Sequence, residues 1–336
     1  MDTRSKAMRI TILGAGSWGT ALAHLAADKG LETLLLARDA SLAEEINTRH
    51  ENSRYLPGLP LCPALRAVTD PAVALAGADI VLLAVPCQYL RESLVRLAPL
   101  LPDDGVFVCA SKGIELGTLK RMSEVTAEAL PGKKPRYAIL SGPSFAREVV
   151  QGKPSAVVLG CADAGLGEEL RAVFSTPAFR VYSSTDVAGV EFGGAIKNVM
   201  AIAAGLCDGL ELGHNARAAL ITRGLAEMSR LGEALGARAA TFMGLSGLGD
   251  LVLTCTGDLS RNRQVGLRLA TGESIGSIAA SMRMVAEGVK TTEAVCELAA
   301  QMGVELPLAF AVRQVLGGTA PLDALRALMS RALREE

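Results

Sequence analysis

A lysine in an apolar stretch is the residue of this sequence whose setting is best suited to proton transfer. Lys197 and Asn198 are the only strongly polar residues of the small-residue run 193–204. Burial lowers the pKa of a lysine toward neutral pH, where the side chain can both accept and donate a proton. We therefore interpret Lys197 as a candidate general acid–base. A lysine that merely extends from a core helix to solvent fits the same pattern.

Histidine and aspartate are the other side chains that could take part in proton transfer. Histidine is the commonest general base, and the chain has three histidines: His24, His50 and His214. None of them stands in a setting that predicts catalysis. Asp250 follows the glycine-rich turn 245–249 and could orient the lysine or a substrate hydroxyl. Taken alone, Asp250 could equally be a helix cap.

A phosphate site is predicted where three polar residues begin a helix. Ser260, Arg261 and Asn262 precede a helical pattern that ends near residue 270. A guanidinium, an amide and the unpaired N–H groups of a helix start would converge there. Arginine also binds carboxylates, so a substrate that carries a carboxylate stays open.

A glycine fingerprint predicts a dinucleotide site near the start of the chain. Gly14, Gly16 and Gly19 follow the first predicted strand, 8–13, and open the predicted helix 20–29. The first glycine permits a tight turn, the second lets the backbone approach a pyrophosphate, and the third allows close packing of helix and strand. The helix start adds N–H donors for the phosphates. A glycine-rich turn without a ligand is the alternative.

The end of the second predicted strand bears on the choice of cofactor. An acidic residue about 20 positions after the fingerprint normally binds the ribose 2′-hydroxyl, but Arg38 stands there. Its guanidinium could pair with a 2′-phosphate or stack on adenine. The sequence is therefore compatible with NADPH and leaves NADH open, and a plain surface arginine is the third reading.

Two later strand ends carry further candidates, because ligands of open α/β sheets bind at the carboxyl ends of the strands. Lys112 follows the predicted strand 106–110 and could reach a substrate phosphate or the cofactor, or could be a solvated loop lysine. The segment 141–146 makes a tight turn into a helix at another strand end. Ser144 could be no more than the N-cap of that helix.

Alternating apolar runs and helical patterns predict an α/β first half. The predicted strands are 8–13, 33–37, 80–85, 106–110, 137–140, 156–159 and 179–182. We expect a Rossmann-type, doubly wound, mainly parallel sheet over residues 1–187. Residues 188–336 lack such strand patterns and contain helical ones such as 216–235 and 291–302, so we expect an all-α substrate or catalytic domain there.

Composition excludes several classes of protein. Thirty-four Lys and Arg against 35 Asp and Glu give a net charge of −1, without the positive excess that drives nucleic-acid binding. The seven cysteines are widely spaced and form no CxxC pair, so they predict reduced thiols and no metal site. The apolar run 8–13 is too short for a signal peptide, and 195–206 is shorter than the ~20 residues that span a bilayer. We expect a cytoplasmic protein without a membrane span, and a homodimer stays open.

The ordered motifs of the chain resemble one family from end to end. They are GAGSWGTALA, SKGIE, SGPSFA, GGAIKN, NARAALITRGLAEMSRLG, GLSGLGDLVLTCTGDLSRNR and VAEGVKT. Together they are similar to the bacterial NAD(P)-dependent glycerol-3-phosphate dehydrogenases. The resemblance implies a Rossmann domain followed by a helical domain similar to that of 6-phosphogluconate dehydrogenase. It also implies reversible hydride transfer between NAD or NADP and sn-glycerol 3-phosphate or dihydroxyacetone phosphate, which supplies glycerol 3-phosphate for phospholipid biosynthesis.

Roles for individual residues follow from the matching motifs. The resemblance makes Lys197 the proton acceptor, and implies substrate contacts from Lys112, Gly142, Ser144, Lys197, Asp250, Ser260, Arg261 and Asn262. Beside the fingerprint glycines, it implies cofactor contacts from Ser17, Trp18, Arg38, Tyr55, Lys112, Ala146, Arg261, Val285 and Glu287. Two alternatives stay open: a related β-hydroxyacid dehydrogenase, and a non-catalytic module that senses NAD(P).

Overall fold

The computed structural model describes residues 8–282 and 286–332, which form two compact units. The first unit comprises the chain up to Ser111 together with Met122–Val187, and the second comprises Lys112–Arg121 and the chain from Ala188 onward. The sequence prediction divides the chain at a single point, 187/188. In the structure the segment Lys112–Arg121 packs with the later residues.

The described residues of the first unit contain one eight-stranded sheet. Its strands are β1 (Arg9–Leu13), β2 (Glu32–Leu36), β3 (Arg66–Val68), β4 (Ile80–Leu83), β5 (Val106–Cys109), β6 (Arg136–Ser141), β7 (Ser155–Cys161) and β8 (Phe179–Ser184). Their order in the sheet is β3-β2-β1-β4-β5-β6-β7-β8, and every neighbouring pair is parallel except the antiparallel pair β6–β7. The predicted doubly wound, mainly parallel sheet is confirmed.

Helices connect these strands. They are α1 (Ser17–Asp28), α2 (Ala40–Arg49), α3 (Pro71–Leu75), α4 (Leu90–Leu97), α5 (Met122–Ala129), α6 (Ala146–Val150) and α7 (Ala164–Phe174). Every residue of β4 and β5 is buried, which is why these strands are apolar throughout instead of alternating. The side chains of Asp39 and Asp163 cap the starts of α2 and α7.

Strand β3 was not predicted from the sequence. It has three residues, begins with the exposed Arg66 and lies at the edge of the sheet, paired with β2 alone. Three residues are too few to show the alternation that identifies a strand. Its place is set by pairing with β2.

Beyond residue 188 the described residues of the second unit form helices joined by turns and loops, without a strand, as predicted. Its helices are α8 (Val187–Gly209), α9 (Gly213–Ala234), α10 (Ala239–Phe242), α11 (Asp250–Thr256), α12 (Arg261–Ala270), α13 (Ile275–Ser281), α14 (Glu287–Met302), α15 (Pro307–Leu316) and α16 (Pro321–Met329). A π-helical turn, Leu245–Gly249, joins α10 to α11. Helix α8 lies at the centre of the core of this unit, since 19 of its 23 residues are buried.

Two stretches among the described residues are long and apolar enough to cross a membrane by length and composition alone. They are Val187–Gly209 and Ala239–Thr256. The apolar window of the first is entirely buried within the protein. The core helix of a folded domain meets the same criteria, so these stretches are weak evidence for a membrane span.

Candidate active site

Lys197 is buried in the middle of α8 and bonded to two side chains of α11. Its ammonium donates to Asp250 Oδ1 at 2.6 Å and to the hydroxyl oxygen of Thr254 at 2.8 Å. Burial lowers the pKa of Lys197 to about 8, against the opposing effect of the Asp250 charge. The side chain therefore exchanges a proton near physiological pH, and it is held in one orientation by its partners.

Asp250 is shared by two lysines. Lys197 approaches Oδ1, and Lys112 donates to Oδ2 at 2.6 Å. Burial would raise the pKa of this carboxyl, but the two ammonium groups outweigh burial and lower it. The carboxylate therefore stays ionised between two cations. Asp250 is not the N-cap of α11, because Gly249 holds that position.

A close backbone contact brings Asp250 to Lys197. A Cβ on Gly193, one helical turn before Lys197, would lie 2.5 Å from the carbonyl oxygen of Ser246. Only glycine therefore lets the π-helical turn approach α8 so closely. That turn leads directly into Asp250, so the small residue at 193 fixes the separation of the acid and the lysine.

Lys112 belongs to the site because its segment is anchored in the second unit. Ile114 is fully buried in the core of that unit. At the other end of the segment, Arg121 forms an ion pair with Glu191 at 3.3 Å and lies over the ring of Phe192, 5.6 Å from its centroid. These contacts hold the loop so that Lys112 reaches Asp250.

The predicted phosphate-binding residues begin α12, as the sequence indicated. The Ser260 hydroxyl caps the helix by accepting from the N–H of Arg263. Burial lowers the pKa of Arg261, and the nearby Glu287 opposes that shift. The Asn262 amide accepts from the N–H of Gly288 at 3.0 Å and donates to Asn198 Oδ1 at 2.9 Å.

The fingerprint loop of the first unit fits a bound dinucleotide. Gly14 has a φ of +112°, and a Cβ there would lie 2.7 Å from the carbonyl oxygen of Ala84. A Cβ on Gly19 would lie 2.0 Å from the carbonyl oxygen of Gly14, whereas one on Gly16 would meet no atom within 4 Å. The first and third glycines are thus required by packing. The second leaves open space at the start of α1, where a pyrophosphate would approach.

Residues beside the loop support it. Asn52 is completely buried, donates to the carbonyl oxygen of Ala15 at 3.1 Å and accepts from the N–H of Tyr55. The indole N–H of Trp18 is buried and has no hydrogen-bond partner among the described residues. Buried donors normally have a partner, so this one is consistent with a ligand at the loop.

Arg38 and Asp39 follow β2, and the carboxylate of Asp39 already has hydrogen-bond and ion-pair partners. Asp39 accepts from the N–H of Ser41 at 2.9 Å and pairs with Arg54 at 2.9 Å. The hydrogen bonds from Ser41 and the pairing with Arg54 lower the pKa of Asp39. Arg38 is exposed beside it. The cation, and not the acid, is therefore presented at this position.

The turn after β6 does not use Ser144 as a helix N-cap, which was one of the alternatives left open by the sequence. Gly142 has a φ of +134°, and a Cβ there would lie 2.9 Å from Val157 Cα. Ser144 donates to the carbonyl oxygen of Gly142 at 2.9 Å. The N-cap position of α6 is Phe145, without a side-chain cap, so Ser144 does not cap this helix. Ala146 is its first residue.

The predicted site residues fall into two groups, one in each unit. The first unit contains Gly14, Gly16, Ser17, Trp18, Gly19, Arg38, Tyr55, Gly142, Ser144 and Ala146, and the second contains Lys112, Lys197, Asp250, Ser260, Arg261, Asn262 and Glu287. Val285 lies outside the described residues.

Sequence reasoning missed Thr254, Asn52 and the bonding of Asn198. Thr254 could have been found, because it stands four positions after Asp250 on one helix face. The described residues hold no group of three or more His, Cys, Asp or Glu side chains arranged to bind a metal ion.

A doubly wound sheet with a glycine fingerprint, joined to a helical unit that holds a buried lysine against a carboxylate, is the arrangement of a dinucleotide-dependent dehydrogenase. Two family models together match most of the chain. The N-terminal model of NAD-dependent glycerol-3-phosphate dehydrogenase matches residues 9–166, and the C-terminal model matches residues 186–326. The chain belongs to the NAD-dependent glycerol-3-phosphate dehydrogenase family.

Individual relatives agree with this assignment. A glycerol-3-phosphate dehydrogenase [NAD(P)+] of Nitratidesulfovibrio vulgaris is 63% identical over 330 residues, which cover 98% of this chain and all of the relative. One from Geobacter sulfurreducens is 53% identical over 98% of each chain. The crystal structure of glycerol-3-phosphate dehydrogenase from Coxiella burnetii is 40% identical and superposes with a TM-score of 0.92, covering 97% of this chain and 99% of its own.

Proposed function

We propose that this protein interconverts sn-glycerol 3-phosphate and dihydroxyacetone phosphate, with NAD or NADP as the partner in hydride transfer. The cluster Lys112–Asp250–Lys197 carries the proposal, because it contains a proton-exchanging group of the kind that alcohol oxidation needs. Membership of the family supports the choice of substrate. A bound nicotinamide ring would supply or accept the hydride.

Lys197 is the proton-transfer group in this proposal. In the reducing direction its Nζ gives a proton to the carbonyl oxygen of the substrate, and in the oxidising direction it takes the proton of the hydroxyl. A pKa of about 8 makes both steps accessible near neutral pH. The bonds to Asp250 and Thr254 hold Nζ in place, so that the proton moves along a fixed direction.

Asp250 acts through the two lysines that it binds. Its buried, ionised carboxylate balances the charge of the two ammonium groups and orients both. In the proposal Lys112 brings a second positive charge to the bound substrate, either at its phosphate or at its reacting oxygen. Gly142 and Ser144 are the substrate contacts proposed on the first unit.

The start of α12 holds the phosphate group of the substrate. Ser260, Arg261 and Asn262 supply a hydroxyl, a guanidinium and main-chain N–H groups at the positive end of a ten-residue helix. Arginine stays protonated at every physiological pH, so Arg261 is a permanent cation at this place. A dianionic phosphate suits such a site better than a neutral polyol.

The first unit binds the dinucleotide in this scheme. The open space beside Gly16 and the start of α1 receive the pyrophosphate, and Arg38 meets a 2′-phosphate where one is present. Further contacts are proposed at Ser17, Trp18, Tyr55, Ala146, Arg261, Glu287 and Val285, the last outside the described residues. The seven unbridged cysteines suit the reducing cytosol, where we infer that the enzyme supplies glycerol 3-phosphate for phospholipid biosynthesis.

Steady-state kinetics test the proposal directly. Purified protein is assayed with dihydroxyacetone phosphate and either NADPH or NADH, and with a panel of β-hydroxy acids and NAD⁺ or NADP⁺. We expect efficient reduction of dihydroxyacetone phosphate and no oxidation of the hydroxy acids. Turnover of a hydroxy acid in preference to dihydroxyacetone phosphate would indicate a β-hydroxyacid dehydrogenase. Dinucleotide binding without any turnover would indicate a sensing module.

A further inference from the structure

The side chain of Asn262 is the middle link of a hydrogen-bonded chain through three helices. The N–H of Gly288, in the first turn of α14, donates to Asn262 Oδ1 at 3.0 Å. Asn262 Nδ2 donates to Asn198 Oδ1 at 2.9 Å, and Asn198 Nδ2 donates to the carbonyl oxygen of Gly194 at 3.4 Å. The chain therefore runs from α14 through α12 to α8, ending beside Lys197.

The direction of this chain is fixed by its two ends. A main-chain N–H can only donate and a main-chain carbonyl can only accept, so the amide oxygen of Asn262 faces Gly288 and its nitrogen faces Asn198. Asn198 and Asn262 are 5% and 8% exposed, so water does not readily replace these partners.

The packing around Gly288 makes the contact close. A Cβ at position 288 would lie 2.7 Å from Asn262 Oδ1 and 2.7 Å from the carbonyl oxygen of Asn198. Glycine is thus required for α14 to approach α12 and α8 at this point. The residue before it, Glu287, acts electrostatically on Arg261, the residue before Asn262. The two first turns therefore interact at two neighbouring positions.

We propose that Asn262 is a positioning residue, whose side chain locks the first turns of α12 and α14 together and ties both to the helix of Lys197. The proposal deepens the proposed function, from which it takes the role of Arg261 and Glu287 as cofactor contacts. The main-chain N–H of Asn262 is available to the substrate phosphate in this proposal, since the first N–H groups of a helix have no partner within it. One residue thereby sets the place of groups that serve both substrate and cofactor.

Cofactor binding in the absence of substrate separates positioning from direct contact with phosphate. The dissociation constant for NADPH is measured by nicotinamide fluorescence for the wild type and Asn262→Ala, without dihydroxyacetone phosphate. Loss of the amide hydrogen bonds should weaken NADPH binding about three- to ten-fold. The KM for dihydroxyacetone phosphate should rise as well. A side chain that only bound phosphate would raise that KM and leave NADPH binding unchanged, which would overturn the proposal.

Gly288→Ala tests the same link from its other end. The variant keeps every side chain that is proposed to contact the substrate. Its added Cβ, however, must displace Asn262 or α14. It should weaken NADPH binding in the same way. Gly276→Ala is the matched control, because it changes a helical glycine of the same unit whose Cβ would have no neighbour closer than 4.0 Å. If Gly288→Ala bound NADPH like this control, the positioning role would be refuted.

A double-mutant cycle of Asn198→Ala and Asn262→Ala completes the experiment. Asn198 and Asn262 belong to the same series of hydrogen bonds, so the losses of NADPH affinity in the two single variants should not add. The double variant should bind NADPH no more weakly than the single variant with the lower affinity. Additive losses would contradict a shared chain. Thermal melting of each variant confirms folding, and Asn262→Ala keeps the test available if Gly288→Ala is unstable. A wild type that binds NADPH but does not reduce dihydroxyacetone phosphate would refute the proposed function while this binding test still decides the present proposal.

Discussion

The ammonium of Lys197 lies 2.6 Å from Oδ1 of Asp250, and the two side chains are only 8% and 2% exposed. A buried pair of this kind is costly to break from one side, because the remaining charge loses its partner. Here the carboxylate has a second partner, Lys112 on Oδ2. Removing Lys197 therefore leaves Asp250 still paired with Lys112. A substitution at Lys197 thus tests its role in catalysis without leaving an unpaired buried charge.

Lys197→Met should abolish turnover while leaving dinucleotide binding intact. Methionine preserves most of the buried volume, and the proton-transfer group is lost. General acid–base catalysis typically contributes ~10²- to 10⁴-fold to the rate, so kcat should fall by that factor. Lys290→Met, at an exposed lysine of α14, is the control. Retention of more than about a tenth of wild-type kcat would remove Lys197 from the mechanism.

The pH dependence should report the protonation of Lys197. Reduction uses the protonated lysine, so kcat/KM for dihydroxyacetone phosphate should fall as pH rises through about 8. Oxidation of glycerol 3-phosphate uses the neutral lysine and should rise over the same range. The Asp250 charge raises the pKa of Lys197, so Asp250→Asn should move both limbs to lower pH. A shift to higher pH, or none, would mean that another group titrates.

Arg38→Ala should weaken NADPH more than NADH, because only NADPH carries a 2′-phosphate. Charge-assisted hydrogen bonds contribute ~1.5–3 kcal/mol, which corresponds to a selective loss of roughly ten-fold or more. Dissociation constants of both reduced cofactors are compared for the two proteins. Arg180→Ala, at an exposed arginine of β8, serves as the control. Equal losses for the two cofactors would favour adenine stacking or a structural role.

Arg261→Ala should reduce the ability of the enzyme to distinguish dihydroxyacetone phosphate from dihydroxyacetone. The variant lacks an interaction that the unphosphorylated compound never makes. The losses in kcat/KM caused by the substitution and by removal of the phosphate should therefore not be additive. Orientation by the phosphate also helps the chemical step, so kcat should fall as KM rises. The test measures kcat/KM for all four combinations of enzyme and substrate. An equal slowing of both substrates would show that Arg261 does not bind phosphate and would leave it as a cofactor contact.

Glu227 should make stability depend on pH. It is 4% exposed, accepts from the N–H groups of Leu308 and Ala309 at the start of α15, and burial raises its pKa from 4.5 to about 7. Between these values the folded protein binds a proton that the unfolded chain has released, so this group makes stability fall as pH rises from 4.5 to 7.

The variant Glu227→Gln cannot ionise and should escape that loss. Relative to the wild type, its free energy of unfolding should rise across the same window, by about 3 kcal/mol at most, at 1.36 kcal/mol for each pH unit. Urea unfolding at pH 5 and pH 7.5 measures the change. Glu297→Gln, at an exposed glutamate of α14, should show no such trend. A difference that stays constant with pH would assign the effect to the lost hydrogen bonds.

The sequence by itself determined the features that depend on neighbouring residues. The fingerprint glycines, the lysine of the apolar helix and the polar start of α12 are each set by spacing along a single turn or helix. Apolar periodicity likewise predicted the sheet and the helical second half, because the side chains of one element repeat with its backbone geometry. These properties need no knowledge of distant residues.

Only the tertiary structure decided which of these features meet. Lys197 and Asp250 are 53 positions apart, and Lys112 and Asp250 are 138 positions apart. Their contacts depend on how closely α8 and the π-helical turn pack at Gly193, and on the burial of Ile114, which draws the segment Lys112–Arg121 into the second unit. The bonds of Asn262 to Asn198 and Gly288 are of the same kind. Such contacts follow from complementary packing of whole helices, and spacing along the chain does not encode them.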